Sequence, residues 1–413
     1  MLIEFCVKNY KSFRDKTCFS LKALPIKEYQ NENTFLSCNV RLLKSAVIYG
    51  RNESGKTNLF DALFKMCEIV LRSTEESPNY VLEVVPFSLS IESKNQPTEF
   101  EVEFIVNNVI YKYGYKVFEE RIVEEYLYRK RQRYTKLFER KNGQNIWIIK
   151  KYKEEWSKYI EFTRDNTLFL SLMANLNGSL AMVLREWFDN ISIQTSMHMI
   201  GISTKKYLNK DPKNINKIFE FIKETHNTSI LGMISDNIKK TLDIDSLPDI
   251  YNKDYFKKII NENPESAVAP PSVETRHHIY SNKRIINEKE VVFDLDDESE
   301  GINKLFALSA PIINALEKNR ILFIDEFDTN LHPNLMQELF NMFNVQNKYS
   351  QIVIITHSPF LMKANIRRDQ IYVTHKNQYE ECSINRVFDY GVRKEKNLIN
   401  SYLNGEFDKP PVG

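Results

Sequence analysis

The sequence predicts an α/β protein: a mixed or parallel sheet bearing a phosphate-binding loop, a β-rich subdomain beside it, and a mostly helical insertion. Three observations predict it. The stretch Gly50-Arg51-Asn52-Glu53-Ser54-Gly55-Lys56-Thr57 lies between an apolar run at 46–49 and a helical pattern opening at Asn58. Strand, glycine loop and helix are the setting a P-loop needs. Residues 81–150 read as one strand after another. From Glu298 onward helix and strand patterns alternate, as in a parallel sheet with helices on its faces.

Each element follows from its pattern. Residues 2–10 alternate and read as a strand, with a second at 17–24. Residues 25–44 are polar and read as irregular chain. The helix after the loop carries Leu59, Leu63 and Met66 at helical spacing. Candidate strands follow at 86–91, 99–106, 110–118, 121–137 and 146–150, with Asn107-Asn108 and Asn142-Gly143 as turns. Residues 183–188, 214–222, 230–242 and 251–260 carry apolar residues three and four apart and read as helices. Asp211-Pro212 is a helix start. A hairpin-like pair at 274–280 and 290–294 comes next. Helix 300–317, strand 320–325, helix 334–344 and strands 352–356 and 371–374 complete the chain. The expected organisation is a first lobe at 1–150, a helical insertion at 151–271 and a second lobe at 272–413.

The chemistry of the loop fixes its residue types. Gly50 and Gly55 let the backbone turn tightly and approach phosphate without a Cβ in the way. The loop amides from Arg51 to Thr57, with Asn58 at the helix start, point partial positive charge at an anion. Lys56 reaches the β- and γ-phosphates of a nucleotide, and the Thr57 hydroxyl ligates Mg²⁺. The other half of such a site is an apolar strand ending in carboxylates, and residues 321–326 supply one. Asp325 at its tip suits Mg²⁺, and Glu326 suits a base for the attacking water. The competing reading, a buried strand followed by a solvated acidic turn, is the weaker one even for the stretch alone and carries little weight beside the glycine loop. A further buried strand, 352–356, ends at His357, which is either a γ-phosphate contact or a capping histidine. Glu298-Ser299-Glu300-Gly301 opens a helix. Ser299 and Gly301 there could hold a phosphate, although taken alone a plain N-cap is the better reading.

Composition narrows the class. The chain has 413 residues, 42% hydrophobic and 27% charged, with a net charge of +2, so nothing global demands nucleic acid or a membrane. No run approaches the roughly 18 apolar residues of a membrane span. The first eight residues are too polar for a signal peptide. The five cysteines form no CxxC pair and no zinc spacing, so reduced thiols and a cytoplasmic location are expected.

Lys56 and Asp325 stand far apart in the chain, which suits a head built from two distant segments. Asn9-Tyr10-Lys11-Ser12-Phe13, the loop 50–57, Glu298-Ser299-Glu300-Gly301, Phe323-Ile324-Asp325-Glu326-Phe327-Asp328, Leu331-His332-Pro333 and Thr356-His357-Ser358 together resemble one family. It is the bacterial ABC-type AAA ATP-binding family, RecF/SMC-like and OLD-related, that includes RloA, AbiLi and the PARIS ATPase of anti-phage defence. The resemblance covers roughly 1–145 and 272–405. It implies an ABC-type P-loop ATPase head with ATP and Mg²⁺ as cofactors. It also implies a homodimer or higher homo-oligomer sandwiching two ATP molecules. Lys56, Thr57, Asp325, Glu326 and His357 would act from one subunit, and Ser299 and Gly301 on the nucleotide of the other, with Asp328 in the crossing loop. The transporter-type LSGGQ signature is absent, and no Q-loop glutamine stands out.

The expected function is an ATPase acting as sensor or regulatory subunit of an abortive-infection system, with a separate effector, possibly a nuclease, from a neighbouring gene. Residues 358–413 are too few for a nuclease domain of the OLD kind. The alternative is a RecF/SMC-like DNA-binding ATPase of repair or recombination. Two signals are discounted. Arg129-Lys130-Arg131-Gln132-Arg133-Tyr134 could bind nucleic acid, but four glutamates lie just upstream, and a charged solvated strand pair is the plainer reading. His277-His278 would point to opposite faces of a strand, which argues against a shared metal.

Overall fold

The computed structural model describes residues 1–74, 82–143, 145–195, 197–211, 213–225, 228–235, 273–281 and 284–411. The chain divides into two compact units. Met1–Thr195, Asn314–Thr329 and Met336–Gly413 form the first; Ser196–Ile313 and Asn330–Leu335 form the second.

In the first unit, β1 (Leu2–Lys8) turns back into β2 (Thr17–Ser20). A hairpin of β3 (Thr34–Ser37) and β4 (Val40–Leu43) follows, where irregular chain was expected. It closes because Cys38 and Asn39 both take positive φ, 50° and 61°. A two-residue hairpin turn needs that geometry, but Cys-Asn is not its usual sequence. Strand β5 (Ser45–Gly50), buried throughout, delivers the chain to the glycine loop, and α1 (Lys56–Arg72) leaves it.

An antiparallel meander comes next: β6 (Thr98–Val106), β7 (Val109–Phe118), β8 (Arg121–Lys130), β9 (Tyr134–Lys141) and β10 (Asn145–Ile148). Because β6 also pairs with β1, the sheet has seven strands in the order β10-β9-β8-β7-β6-β1-β2. Two expectations are corrected here. The single strand read over 121–137 is two strands, reversing at Arg131-Gln132-Arg133, a turn with no glycine, proline or asparagine to announce it. Residues 86–91 are no strand. The backbone there is bonded by the N-terminal loop instead: Phe87 N–H donates to Asn9 Oδ1 (3.1 Å) and Lys11 N–H to the Val85 carbonyl (2.9 Å).

Helices α2 (Lys150–Trp156), α3 (Phe169–Asn175) and α4 (Ser179–Asp189) lead to β11 (Ile191–Gln194). They bury Trp156, Phe169 and Phe188 in the same core as the two sheets. Their seat on the antiparallel sheet is keyed by a fully buried ion pair, Glu125 and Arg140, 3.8 Å apart. Glu125 accepts the Phe169 and Leu170 N–H groups, 2.7 and 3.0 Å, and the Tyr113 hydroxyl, 2.9 Å. Arg140 donates to the carbonyls of Gly143, Thr167 and Arg164.

The second unit holds α5 (Met197–Lys210), α6 (Asn214–Thr225), β12 (Gly232–Ser235), β13 (Val273–Ser281), β14 (Arg284–Asp294) and most of α7 (Glu300–Lys318). The hairpin expected at 274–294 is present. The helix read over 230–242 is corrected: residues 232–235 add a strand to that hairpin's edge, in the order β12-β13-β14. The remainder of that stretch, and the helix read at 251–260, lie outside the described residues. Pro311 stands inside α7 and, lacking an N–H, leaves the Ala307 carbonyl without its helical donor. The buried Thr204 hydroxyl of α5 donates there instead, at 2.6 Å.

The first unit resumes with β15 (Ile321–Ile324), α8 (Pro333–Gln346, most of it in this unit), β16 (Gln351–Ile355), β17 (Ile371–Lys376), β18 (Cys382–Arg386) and α9 (Leu398–Leu403). The sheet order is β11-β15-β16-β5-β17-β18, parallel except for β18. The α/β expectation therefore holds, with β16 inserted between the glycine-loop strand β5 and the acidic strand β15. Helix α1 joins this sheet to the antiparallel one. Phe60 meets Phe323 edge-on at 5.0 Å, and the Tyr115 hydroxyl donates to the Met66 carbonyl (3.1 Å).

One cysteine expectation is also corrected. Cys6 and Cys18 form a disulfide, while Cys38, Cys67 and Cys382 are free. The two are exact-register partners on β1 and β2 with Cα atoms 4.1 Å apart, a proximity that a spacing of twelve in the sequence does not reveal.

Candidate functional site

The parallel strands β5, β15 and β16 end together, and the residues beyond their tips converge. From β5 the chain bends through Gly50 and returns into α1 through Gly55, whose φ is 91°. A Cβ at Gly55 would sit 2.8 Å from Cys382 Sγ and 3.0 Å from Ser12 Oγ, so the close approach of two other segments demands glycine. Ser54 is held by the Thr374 hydroxyl at 2.5 Å. Arg51, Asn52 and Glu53 are exposed on the loop.

Lys56 is 6% exposed, and its ammonium donates to the carbonyls of Gly50 (2.9 Å) and Arg51 (2.8 Å). Burial pushes its pKa down, and Asp325 and Asp328 offset that only in part. The Thr57 hydroxyl donates to Asp325 Oδ2 at 2.7 Å. Asp325 is buried, and its other oxygen accepts the Glu326 N–H at 2.8 Å. A hydroxyl and a carboxylate oxygen side by side at the foot of a phosphate-binding loop are a fitting donor pair for a hard divalent cation.

Glu326 is exposed with φ at 50°, a left-handed conformation that turns the chain sharply after β15. The Asp328 carboxylate accepts the His357 N–H at 3.3 Å, which ties the loop after β15 to the end of β16. Thus Lys56, Thr57, Asp325, Glu326, Asp328 and His357 gather beyond the C-terminal ends of the parallel strands. Asn58 donates to Ser12 Oγ at 2.8 Å. Ser299 and Gly301 belong to the second unit. Ser299 caps α7, accepting the Ile302 N–H at 3.4 Å, and a Cβ on Gly301 would meet the Asn330 carbonyl at 3.5 Å and the Ser299 hydroxyl at 4.0 Å.

Several residues at the site were not singled out for it in the sequence. The Tyr10 hydroxyl and Lys11 ammonium both reach Asp61 of α1, at 2.5 and 2.6 Å, and so fasten the N-terminal loop beside the P-loop. Arg51 pairs with Asp408, and the Tyr49 ring packs on Tyr402 at 5.4 Å, so the C-terminal segment backs the loop. An open cleft of about 460 Å³ runs alongside, lined also by Phe87, Leu89 and Lys376. Tyr10, Lys11 and Ser12 had a sequence signal, within Asn9–Phe13, and Arg51 within the loop; Asp61, Asp408, Tyr402, Phe87, Leu89 and Lys376 had none.

One family model, described as "AAA domain, putative AbiEii toxin, Type IV TA system", matches residues 45–363. The chain belongs to that family. The match spans the glycine loop, the acidic strand and the His357 strand together. No characterised protein sequence matches the chain. Among solved structures, an SMC head bound to the C-terminal winged-helix domain of ScpA is similar at 13% identity, over 93% of this chain and 97% of that one, with a TM-score of 0.46. The SMC head domain of Thermotoga maritima aligns at 12% identity, over 93% and 98%, with a TM-score of 0.42. A Pyrococcus furiosus SMC head with an extended coiled coil, bound to the C-terminal domain of ScpA, aligns at 14% identity over 98% of both chains, with a TM-score of 0.41. With scores this low, the fold of this AAA-domain protein rests on its own strand order and loop geometry.

Proposed function

We propose that this AAA-domain protein is an ABC-type ATPase that binds and hydrolyses ATP with Mg²⁺. Its role would be that of sensor or regulatory subunit in a bacterial anti-phage, abortive-infection system with a separate effector. The observation that carries the ATPase reading is the Thr57–Asp325 hydrogen bond at 2.7 Å. It joins the hydroxyl of the phosphate loop to the carboxylate of the acidic strand, the two groups that would hold the metal. Bound Mg²⁺ would neutralise charge on the phosphates. Lys56, already desolvated, would exchange part of its carbonyl contacts for phosphate oxygens. Glu326 would accept the proton of the attacking water at its carboxylate. His357, its backbone fixed by Asp328, would contact the γ-phosphate.

Ser299 and Gly301 would act on the nucleotide of a second copy, which makes the working form a homodimer or larger assembly. The defence role is supported by the toxin–antitoxin wording of the family description and by the resemblance of the ordered motifs. No helix among the described residues is long and apolar enough to cross a membrane, and a cytoplasmic location is part of the proposal.

The test is nucleotide affinity of Lys56→Ala, measured with a fluorescent ATP analogue. Loss of about tenfold or more in affinity is expected, since one charge-assisted phosphate contact carries roughly 1.5–3 kcal/mol. Unchanged affinity would refute the phosphate-loop assignment.

A further inference from the structure

Between Arg129 and Lys153 the chain carries ten lysines and arginines against one carboxylate, Glu139, in a protein whose net charge is only +2. The sequence offers Glu119, Glu120, Glu124 and Glu125 as neutralising neighbours, and the fold assigns them elsewhere. Glu119 and Glu120 occupy the turn before β8, whose ten residues separate them from Arg131 by roughly 30 Å at the rise of a strand. Glu124 pairs with Lys116 at 3.0 Å. Glu125 is buried against Arg140.

Consequently no carboxylate among the described residues pairs with Arg129, Lys130, Arg131 or Arg133. The contrast with the rest of the same sheet is sharp. Lys8 pairs with Glu99, Lys16 with Glu101 and Lys22 with Glu103. At the β8–β9 end of the sheet, by contrast, four cations stand together without a carboxylate partner among the described residues.

Exposed aromatic rings stand beside that charge. Tyr134 is 40% and Trp147 51% exposed. The ammonium groups of Lys130 and Lys112 lie 5.2 and 5.6 Å from the Tyr134 ring centre. Lys136 lies 5.9 Å from Tyr128 and 5.8 Å from Trp147, so rings and cations alternate across β8, β9 and β10. The Tyr134 hydroxyl is tied to Glu103, which fixes its ring on the sheet.

We propose that this face binds single-stranded nucleic acid, with phosphates on the unpaired cations of the β8–β9 turn and bases stacked on Tyr134 and Trp147. A cationic groove with stacking rings on a sheet is the combination that holds unpaired bases. A duplex would offer the turn its phosphates but leave the rings unused. The surface lies within the first unit and shares no residue with the phosphate loop, so its test does not depend on the ATPase reading.

The experiment is fluorescence anisotropy of labelled oligothymidylate and oligouridylate against the full chain across a salt series. A matched duplex, and vesicles of phosphatidylcholine with phosphatidylserine, serve as comparison ligands. Single strands should bind, with a log–log salt slope of about −3 for about four neutralised phosphates. Arg131→Glu with Arg133→Glu should weaken binding about tenfold or more and flatten that slope. Trp147→Ala should weaken it about fivefold or more and leave the slope in place, because stacking releases no counterions. Unaltered melting temperature and circular-dichroism spectrum in these variants would exclude a folding loss. Absence of binding at low salt, duplex binding indifferent to Trp147→Ala, or binding of the vesicles alone would each overturn the proposal.

Discussion

His375 shows how one side chain reports on its surroundings. It stands near the end of β17, 5% exposed, with the Tyr390 hydroxyl 2.6 Å from its Nε2. Burial pushes its pKa below the ordinary 6.5, and the Asp408 backbone and charge oppose that only in part. The fold thus prefers the neutral ring, whereas the unfolded chain takes up a proton near 6.5. Lowering the pH through that value and down to the folded pKa lets the unfolded state bind more protons, so stability falls across that window. His375→Gln removes this contribution. The difference between wild-type and variant melting temperatures should therefore move in the variant's favour as pH drops from 8 to about 5.5. A difference that stays constant with pH would show that His375 does not prefer its neutral form. Because Asp408 also pairs with Arg51, the same segment that shelters this histidine reaches the phosphate loop.

At the scale of elements, the seat of α3 on the antiparallel sheet rests on Glu125 and Arg140, both wholly buried. Burial pushes the Glu125 pKa up while Arg140 and the Leu170 and Phe169 N–H groups draw it down. Removing the cation leaves a buried carboxylate with a helix start still bound to it. Arg140→Met should cost about 3–5 kcal/mol, seen as a lowered denaturation midpoint, whereas Glu125→Gln, which keeps an acceptor for α3, should cost less. Equal effects would mean that the pair acts through packing alone. Such links were not legible in the sequence, and the physical reason is consistent. The glycine loop, β15 and β16 were legible because their residue types are dictated locally, by phosphate chemistry and by burial on both faces of a parallel sheet. The β8–β9 turn, the β3–β4 hairpin and β12 were not, because each is fixed by a partner strand rather than by its own residues. The same holds within the site. Lys56, Thr57 and Asp325 announce themselves, while Thr374, Cys382 and Asp408 join the loop only once distant segments are brought together.

For the whole molecule, the proposed division of labour makes hydrolysis and assembly the same event. In that proposal Asp325, Thr57 and Lys56 would hold a nucleotide within one copy, while Ser299 and Gly301 would complete the site only from another copy. If so, bound ATP is the joint between copies, and hydrolysis releases it. Glu326→Gln preserves the size of the side chain and removes the base, so ATP should bind and not turn over. Light scattering of that variant with ATP and Mg²⁺ should then give the mass of a dimer or larger assembly, and ADP should return it to the smaller species. Adding Ser299→Arg places bulk and charge where the second copy would meet the γ-phosphate. It should abolish the assembly while leaving nucleotide affinity within about threefold, since a residue acting in trans contributes little to binding by a single copy. Normal turnover in Glu326→Gln would remove Glu326 from its assigned role. An ATP-bound species whose mass never changes would instead make Ser299 and Gly301 a plain helix cap, and the protein an ATPase that works as one copy.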